Sequence, residues 1–573
     1  MATIQSQRPS SSGGGSSDEK RDLKAEGATL EKQDAFQILR NSEKGIGANG
    51  ELEVKRDLKP RQISMIAIGG AIGTGLVIGT GGALAKAGPG SLLIGYSLMG
   101  ATCFLVMCAL GEMATYMPHK RGFAGHATRF VGQSFGFATG WNYLFKYLMI
   151  SPNQLVASGL VIQYWRPDLS PAIFISVFIV VILGINFLGV KVFGEVEFWL
   201  SMIKIITLTG LILAGLIIDL GGSPSGDRIG FRYWQGGRAF LEYKSKGSLG
   251  RFLGFWSVMV NGLFAYMGTE LVAITVGEAR NPRKSVPKAI RSTFFRILFF
   301  YIFGVVIVGM VVAADSPLLL TANKQRLGAA ASPFVVAIKA ANIRVLPSII
   351  NACILIFTLS AANSDQYVAS RTLYSLAMDG NAPAIFRRCN SMGVPYVALI
   401  STALFMALAY LTLSDGGAIV FGYFVSVVTI FGGLTWICIL ISHIQFMKGL
   451  KAQGMSRDDL PYKAPFQPYG SYIAVFFTSL VVFFKGWDSF MPAFQYKSFI
   501  TNYIGFPIFF ILLFGHMLIK HTSFIKPADI DLLTDAREFN EEDELAAKED
   551  EEREEMIRRA PLHKKIWYKL QDW

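Results

Sequence analysis

A lysine at position 146 stands near the middle of an apolar run covering 135–164. At such a depth in hydrocarbon a lysine costs about 3 kcal/mol on insertion scales unless a partner answers its charge. Asn142 and Asn153 fall within about 40° of it at 100° per residue, so one face of this helix is polar. Two roles follow for the ammonium. It is either half of a structural salt bridge, for which Asp365 and Glu270 are the carboxylates at hand, or the counter-charge of an anionic ligand. Glu112, Glu195, Glu197 and Glu278 flank apolar runs instead, where an interfacial position is expected. Ser360, Asn363, Ser364 and Asp365 share one run and read mainly as hydrogen bonds between helices.

A second signal is glycine. Gly69, Gly70, Gly73, Gly75 and Gly79 crowd the first apolar run, and each interior glycine costs a helix about 1 kcal/mol relative to alanine. The sixth run has its own weak centre at Gly262 and Gly268. Interrupted helices five spans apart are the pattern of two inverted five-helix repeats, with a substrate site at the breaks. Close packing of small residues between helices is the other reading of the same glycines.

The elements that carry these residues follow from composition. The chain has 573 residues, 52% hydrophobic and only 17% charged, against about 25% charged in soluble domains. Its mean hydropathy of +0.40 excludes an ordinary soluble protein. Twelve runs are long enough to cross hydrocarbon as helix: 63–85, 91–110, 135–164, 172–189, 196–218, 252–276, 294–313, 346–378, 396–413, 419–447, 472–491 and 503–519. The expected fold is therefore an all-α membrane protein of about twelve helices, the first and sixth broken. An even count puts both termini on one side, and lysine and arginine in the loops favour the cytosol. Residues 1–60 read as a disordered cytosolic tail, 61–521 as the membrane domain and 522–573 as a solvated cytosolic tail.

Other functions are excluded by what the chain lacks. The net charge of +13 is scattered between apolar blocks, unlike the patch that grips nucleic acid. The five cysteines and six histidines have no metal-ligand spacing, there is no phosphate-binding loop, and no cofactor or catalysis is expected.

Three motifs carry a family resemblance. They are Ile66 to Gly75 (IAIGGAIGTG), Gly277 to Ile290 (GEARNPRKSVPKAI) and Ser370 to Tyr374 (SRTLY). The chain from about Pro60 to Lys520 resembles the fungal amino-acid permeases of the amino acid–polyamine–organocation superfamily. Within them it looks most like the dicarboxylic amino-acid permeases, through Tyr143 to Tyr147, Pro152 to Leu155 and Asn363 to Asp365. The resemblance implies a plasma-membrane symporter that uses protons to import glutamate and aspartate by alternating access.

It also implies a site. The second half of the broken first helix starts with free N–H groups suited to an α-carboxylate, at Thr74 and Gly75, while carbonyls near Ala71 would take the ammonium. Phe264 and Ala265 match the unwound sixth segment, with free carbonyls and an aromatic lid. Lys146 becomes the partner of the substrate's second carboxylate, with Asn153 and Asn363 beside it. Broad-range and cationic-substrate relatives tend to carry an acid where this chain has Gln154, so the site has lost a negative charge and gained a positive one. Lys204 and Glu270 match proton-handling positions of the superfamily, a structural role being the alternative for each. Arg371 is shared with cationic-substrate relatives and reads as structural, near the cytosolic end. Expected partners are the amino acid, protons, the bilayer, and ubiquitin-ligase adaptors acting on tail lysines such as Lys20, Lys24 and Lys32. Two rivals stand beside this reading: a broad-range neutral amino-acid permease, and a receptor that senses amino acids without carrying them.

Overall fold

The computed structural model describes residues 62, 65, 72–117, 122–224, 226–271, 282–319, 332–343, 345–534, 555–559 and 561. Among these residues every regular element is helical. Ile72 and Gly73 are non-helical, with helix at Gln62 and Met65 on one side and from Thr74 on the other. The first span is therefore broken where its glycines crowd.

From that break α1 (Gly75–Tyr116) opens with a π-helical turn, Gly75–Gly79. It bends at Gly88, whose φ is 80°, immediately before Pro89. The proline disfavours helical geometry in the residue before it, and a side chain at 88 would also meet the Arg238 carbonyl at 2.6 Å. The bend is clamped by Leu241 N–H on the Ala87 carbonyl and Gly90 N–H on that of Ala239. The first two expected spans thus share one stretch, 75–87 before the bend and 89–116 after it.

The remaining principal helices are α2 (Gln133–Ile162), α3 (Pro171–Phe187), α4 (Val190–Asp219), α5 (Gly247–Tyr266), α6 (Val286–Val311), α7 (Leu346–Met378), α8 (Tyr396–Ser414), α9 (Gly417–Ala452), α10 (Tyr469–Phe484), α11 (Tyr496–Tyr503) and α12 (Gly505–Lys520). Seven described helices are long and apolar enough to cross a membrane by themselves, and the pair α11 and α12, bent by 41°, adds an eighth. With α2, α3 and α5, each expected apolar run falls on a described helix. The polar helix α2 is buried along nearly its whole length, and α7 and α9 are its main neighbours. The outer helices expose Val180, Leu404, Ile511 and Leu518 by 70 to 75%, an apolar girdle that only hydrocarbon accommodates.

Two boundaries differ from the sequence expectation. Helix α4 begins at Val190, a full turn and more before the apolar run, because Gly189 at φ 92° ends the preceding helix. Glu197 is consequently inside the bundle and fully buried, as is Glu112. Glu195 accepts a hydrogen bond from Gln62 at 3.1 Å, and Glu278 lies outside the described residues. The segment expected as a solvated tail is also docked at its start. Ile530 and Leu532 are buried, Tyr116 O–H donates to the Leu532 carbonyl at 3.0 Å, and Gln453 donates to that of Ile530 at 2.6 Å. Alternation of two apolar residues among acids gave too little periodicity to signal this strap.

Candidate substrate site at the helix breaks

Helix α5 ends at Tyr266 because Met267 turns extended and Gly268 takes φ 98°. The break runs through 267–270 before helix resumes at Leu271. It meets the break of the first span: a side-chain carbon on Gly75 would stand 2.6 Å from the Ala265 Cα and 3.1 Å from the Phe264 ring. Only glycine lets the two backbones approach this closely.

The carbonyls of the α5 break were expected to be free, and four of them have partners. That of Ala265 accepts from the Tyr301 hydroxyl at 3.0 Å. That of Tyr266 accepts from Thr269 Oγ1 at 3.1 Å, and those of Phe264 and Gly268 accept from the N–H groups of Met267 and Leu271. Each keeps a second lone pair, so the break is pinned in shape and still able to accept. Thr74 is buried with Oγ1 unpartnered. Phe264 and Ala265 are buried beside it, and Ala71 lies outside the described residues.

Helix α2 brings its polar stripe to this place. Asn142 donates to the Phe431 carbonyl at 2.8 Å and to Thr435 Oγ1 at 2.9 Å, which fixes α2 against α9. Lys146 is fully buried in an ion pair with Glu270, the last residue of the α5 break. Its ammonium also lies 5.3 Å and 4.7 Å from the ring centres of Tyr143 and Tyr147. Glu270 takes two more bonds, from Gly268 N–H at 3.1 Å and Trp436 Nε1 at 3.3 Å. The structural partner that the sequence left open between Asp365 and Glu270 is thus Glu270. Asn153 is buried with both amide atoms unpartnered. Gln154 Nε2 donates to Asp365 Oδ2 at 3.3 Å, and a side-chain carbon on Gly73 would stand 3.9 Å from that nitrogen.

A second buried pair lies between α4 and α7. Lys204 and Glu197 are both fully buried, 3.5 Å apart, and Glu197 also accepts from Ser360 at 2.6 Å. Asn186 donates to Asn363 Oδ1 at 2.9 Å, leaving Asn363 Nδ2 unpartnered. Sequence reasoning singled out Lys204 but missed its acid, which a two-turn spacing of seven residues on one helix face could have supplied. Arg371 is buried, its guanidinium 5.0 Å from the Tyr367 ring centre.

The buried unpartnered amides and hydroxyl, the two glycine-permitted breaks and the two ion pairs form a polar centre in an apolar bundle. Such a centre can hold a small zwitterion by both its ends. The comparisons agree with that chemistry. The model of the amino acid permease family matches residues 62–526. The chain is 50% identical to the dicarboxylic amino acid permease of Saccharomyces cerevisiae over 517 residues, covering 89% of this chain and 85% of that protein. It is 41% identical to the proline-specific permease of Emericella nidulans, over 86% of this chain and 91% of that protein. It is 42% identical to the lysine-specific permease of Saccharomyces cerevisiae, over 85% and 79%. In fold it is similar to a solved manganese transporter of Eremococcus coleocola, with a TM-score of 0.51 and 11% identity over 84% of this chain and 95% of that one. The chain is a membrane transporter and belongs to the amino acid permease family.

Proposed function

We propose that this permease imports acidic amino acids, glutamate and aspartate, together with protons across the plasma membrane, with both termini in the cytosol. The observation that carries the reading is the fully buried Lys146, on the central helix beside the breaks, held by a single acid. In this reading the α-carboxylate sits on the N–H groups at Thr74 and Gly75, and the ammonium on carbonyls at Ala71 and Ala265. Asn153 and Asn363 contact the backbone groups of the substrate, and Phe264 closes over it. Lys146 exchanges Glu270 for the substrate's second carboxylate. A second carboxylate brought to Lys146 adds a negative charge to the buried polar centre, so binding calls for a proton in that centre, where Lys204 and Glu197 form a second ion pair. The 50% identity to a dicarboxylic amino acid permease supports the cargo, while relatives named for proline and lysine make competition the decisive control.

The test is uptake of labelled glutamate in transporter-deficient cells at acid and neutral external pH. Acid-stimulated uptake, displaced by excess aspartate and not by proline or lysine, is expected. Equal displacement by neutral amino acids would replace this reading with a broad-range permease, and binding without net uptake would make it a sensor.

A further inference from the structure

We propose that Asp365 carries the proton that moves with the substrate; the assignment rests on the symport reading above. The argument is a count of charges. The charges acting on Asp365 are Lys146 of α2 and Lys204 of α4, which attract it, and Glu197 of α4, which repels it. Each lysine already has an acid of its own, Lys146 in Glu270 and Lys204 in Glu197. Two cations therefore face three carboxyls. Among the described residues Asp365 is in no ion pair, and its hydrogen-bond donor is the neutral amide of Gln154.

The other neighbours do not change the balance. Tyr143 and Tyr147 of α2 carry hydroxyls that bond to each other, Tyr143 donating to Tyr147 at 3.3 Å. The polar groups that α3 and α8 present to α7 are Asn186 and Thr402, both uncharged. Glu270 and Glu197 each already hold a lysine and further hydrogen-bond donors. An unmatched carboxylate in such surroundings is neutralised by a proton. Asp365 is buried like the rest of the group, and keeps a small exposed area of 6% where Lys146, Lys204, Glu197 and Glu270 are at 0%. A proton arriving from outer water bonds to a carboxylate oxygen of Asp365 and leaves it to inner water, with no other bond made or broken. Gln154 connects this event to the substrate site, because the same amide nitrogen that touches Asp365 faces Gly73 at the first break.

The test uses the full chain in proteoliposomes with a pH dye inside. Wild type should acidify the lumen on addition of glutamate and accumulate labelled glutamate down an inward proton gradient. Asp365→Asn should lose both by at least about tenfold, while still exchanging internal for external glutamate. Asp365→Glu should keep both with a displaced pH profile. Unchanged acidification by Asp365→Asn overturns the proposal, and so does loss of exchange together with accumulation in folded protein, which would make Asp365 a binding or structural residue. A wild type that exchanges glutamate without moving protons overturns the symport reading itself and is recognised before any substitution is made. Should Asp365→Asn fail to fold, a hydrophobic carbodiimide, which reacts with protonated buried carboxyls, decides on the wild type: an adduct at Asp365 that disappears at alkaline pH is expected, and an adduct at Glu270 or Glu197 in its place overturns the assignment.

Discussion

At Lys146 charge and packing make separable predictions. Lys146→Met leaves Glu270 buried without its cation, a loss of about 3–5 kcal/mol for a broken buried pair. The single variant should therefore melt lower in detergent and lose glutamate uptake. Lys146→Met with Glu270→Gln should recover much of the melting temperature and still not carry glutamate. Recovered glutamate uptake in the double variant would mean that Lys146 is a structural partner alone. Gly75→Ala tests the backbone contact instead, since the added carbon meets the Ala265 Cα at 2.6 Å. Uptake should fall at least about tenfold at normal surface expression, and wild-type uptake would show that the two breaks separate freely.

At the scale of elements, the bundle is fastened at the ends of its helices. Glu112 at the end of α1 receives Arg457 of the 453–468 loop through two bonds, at 2.6 and 2.9 Å, and the same arginine holds the carbonyls of Ala464 and Gln467. Glu112→Gln should lower thermal stability by an amount on the order of 3 kcal/mol, with little change in substrate preference; an unchanged melting temperature would make the latch dispensable. The strap after α12 buries Leu532, and Leu532→Ser should cost roughly 2 kcal/mol and raise proteolysis after His521. The short helix Gly122–Phe130 beneath the strap holds His126, whose imidazole burial pushes down to about 4 from an ordinary 6.5. The unfolded chain then binds more protons between those values, so stability is full above pH 6.5 and falls as pH drops towards 4. Unfolding midpoints measured across that window should slope less in His126→Gln than in wild type.

For the whole molecule, the fold was largely legible because the bilayer imposes it. Only helices satisfy every backbone group in hydrocarbon, so runs of about 20 apolar residues name their own structure, and the glycines at 73, 75 and 268 mark where two of them break. Legibility ended where apolarity stopped being the signal. Glu112 and Glu197 each sit beside an apolar run, and nothing local shows that they are buried against Arg457 and Lys204. The carbonyls at Ala265 and Tyr266 looked free because their chain neighbours break the helix, yet Tyr301, far along the sequence, occupies one of them.

What the sequence by itself determined is the number and place of the apolar helices, their two breaks and the presence of charges that hydrocarbon does not tolerate alone, since each depends on residue type and local spacing. Only the tertiary structure decided which charges meet. Lys146 is separated from Glu270 by 124 positions and Gln154 from Asp365 by 211, and no local pattern encodes such pairings. They are set by how the helices pack, which among the described residues leaves Asp365 with an amide and no cation as its hydrogen-bond partner.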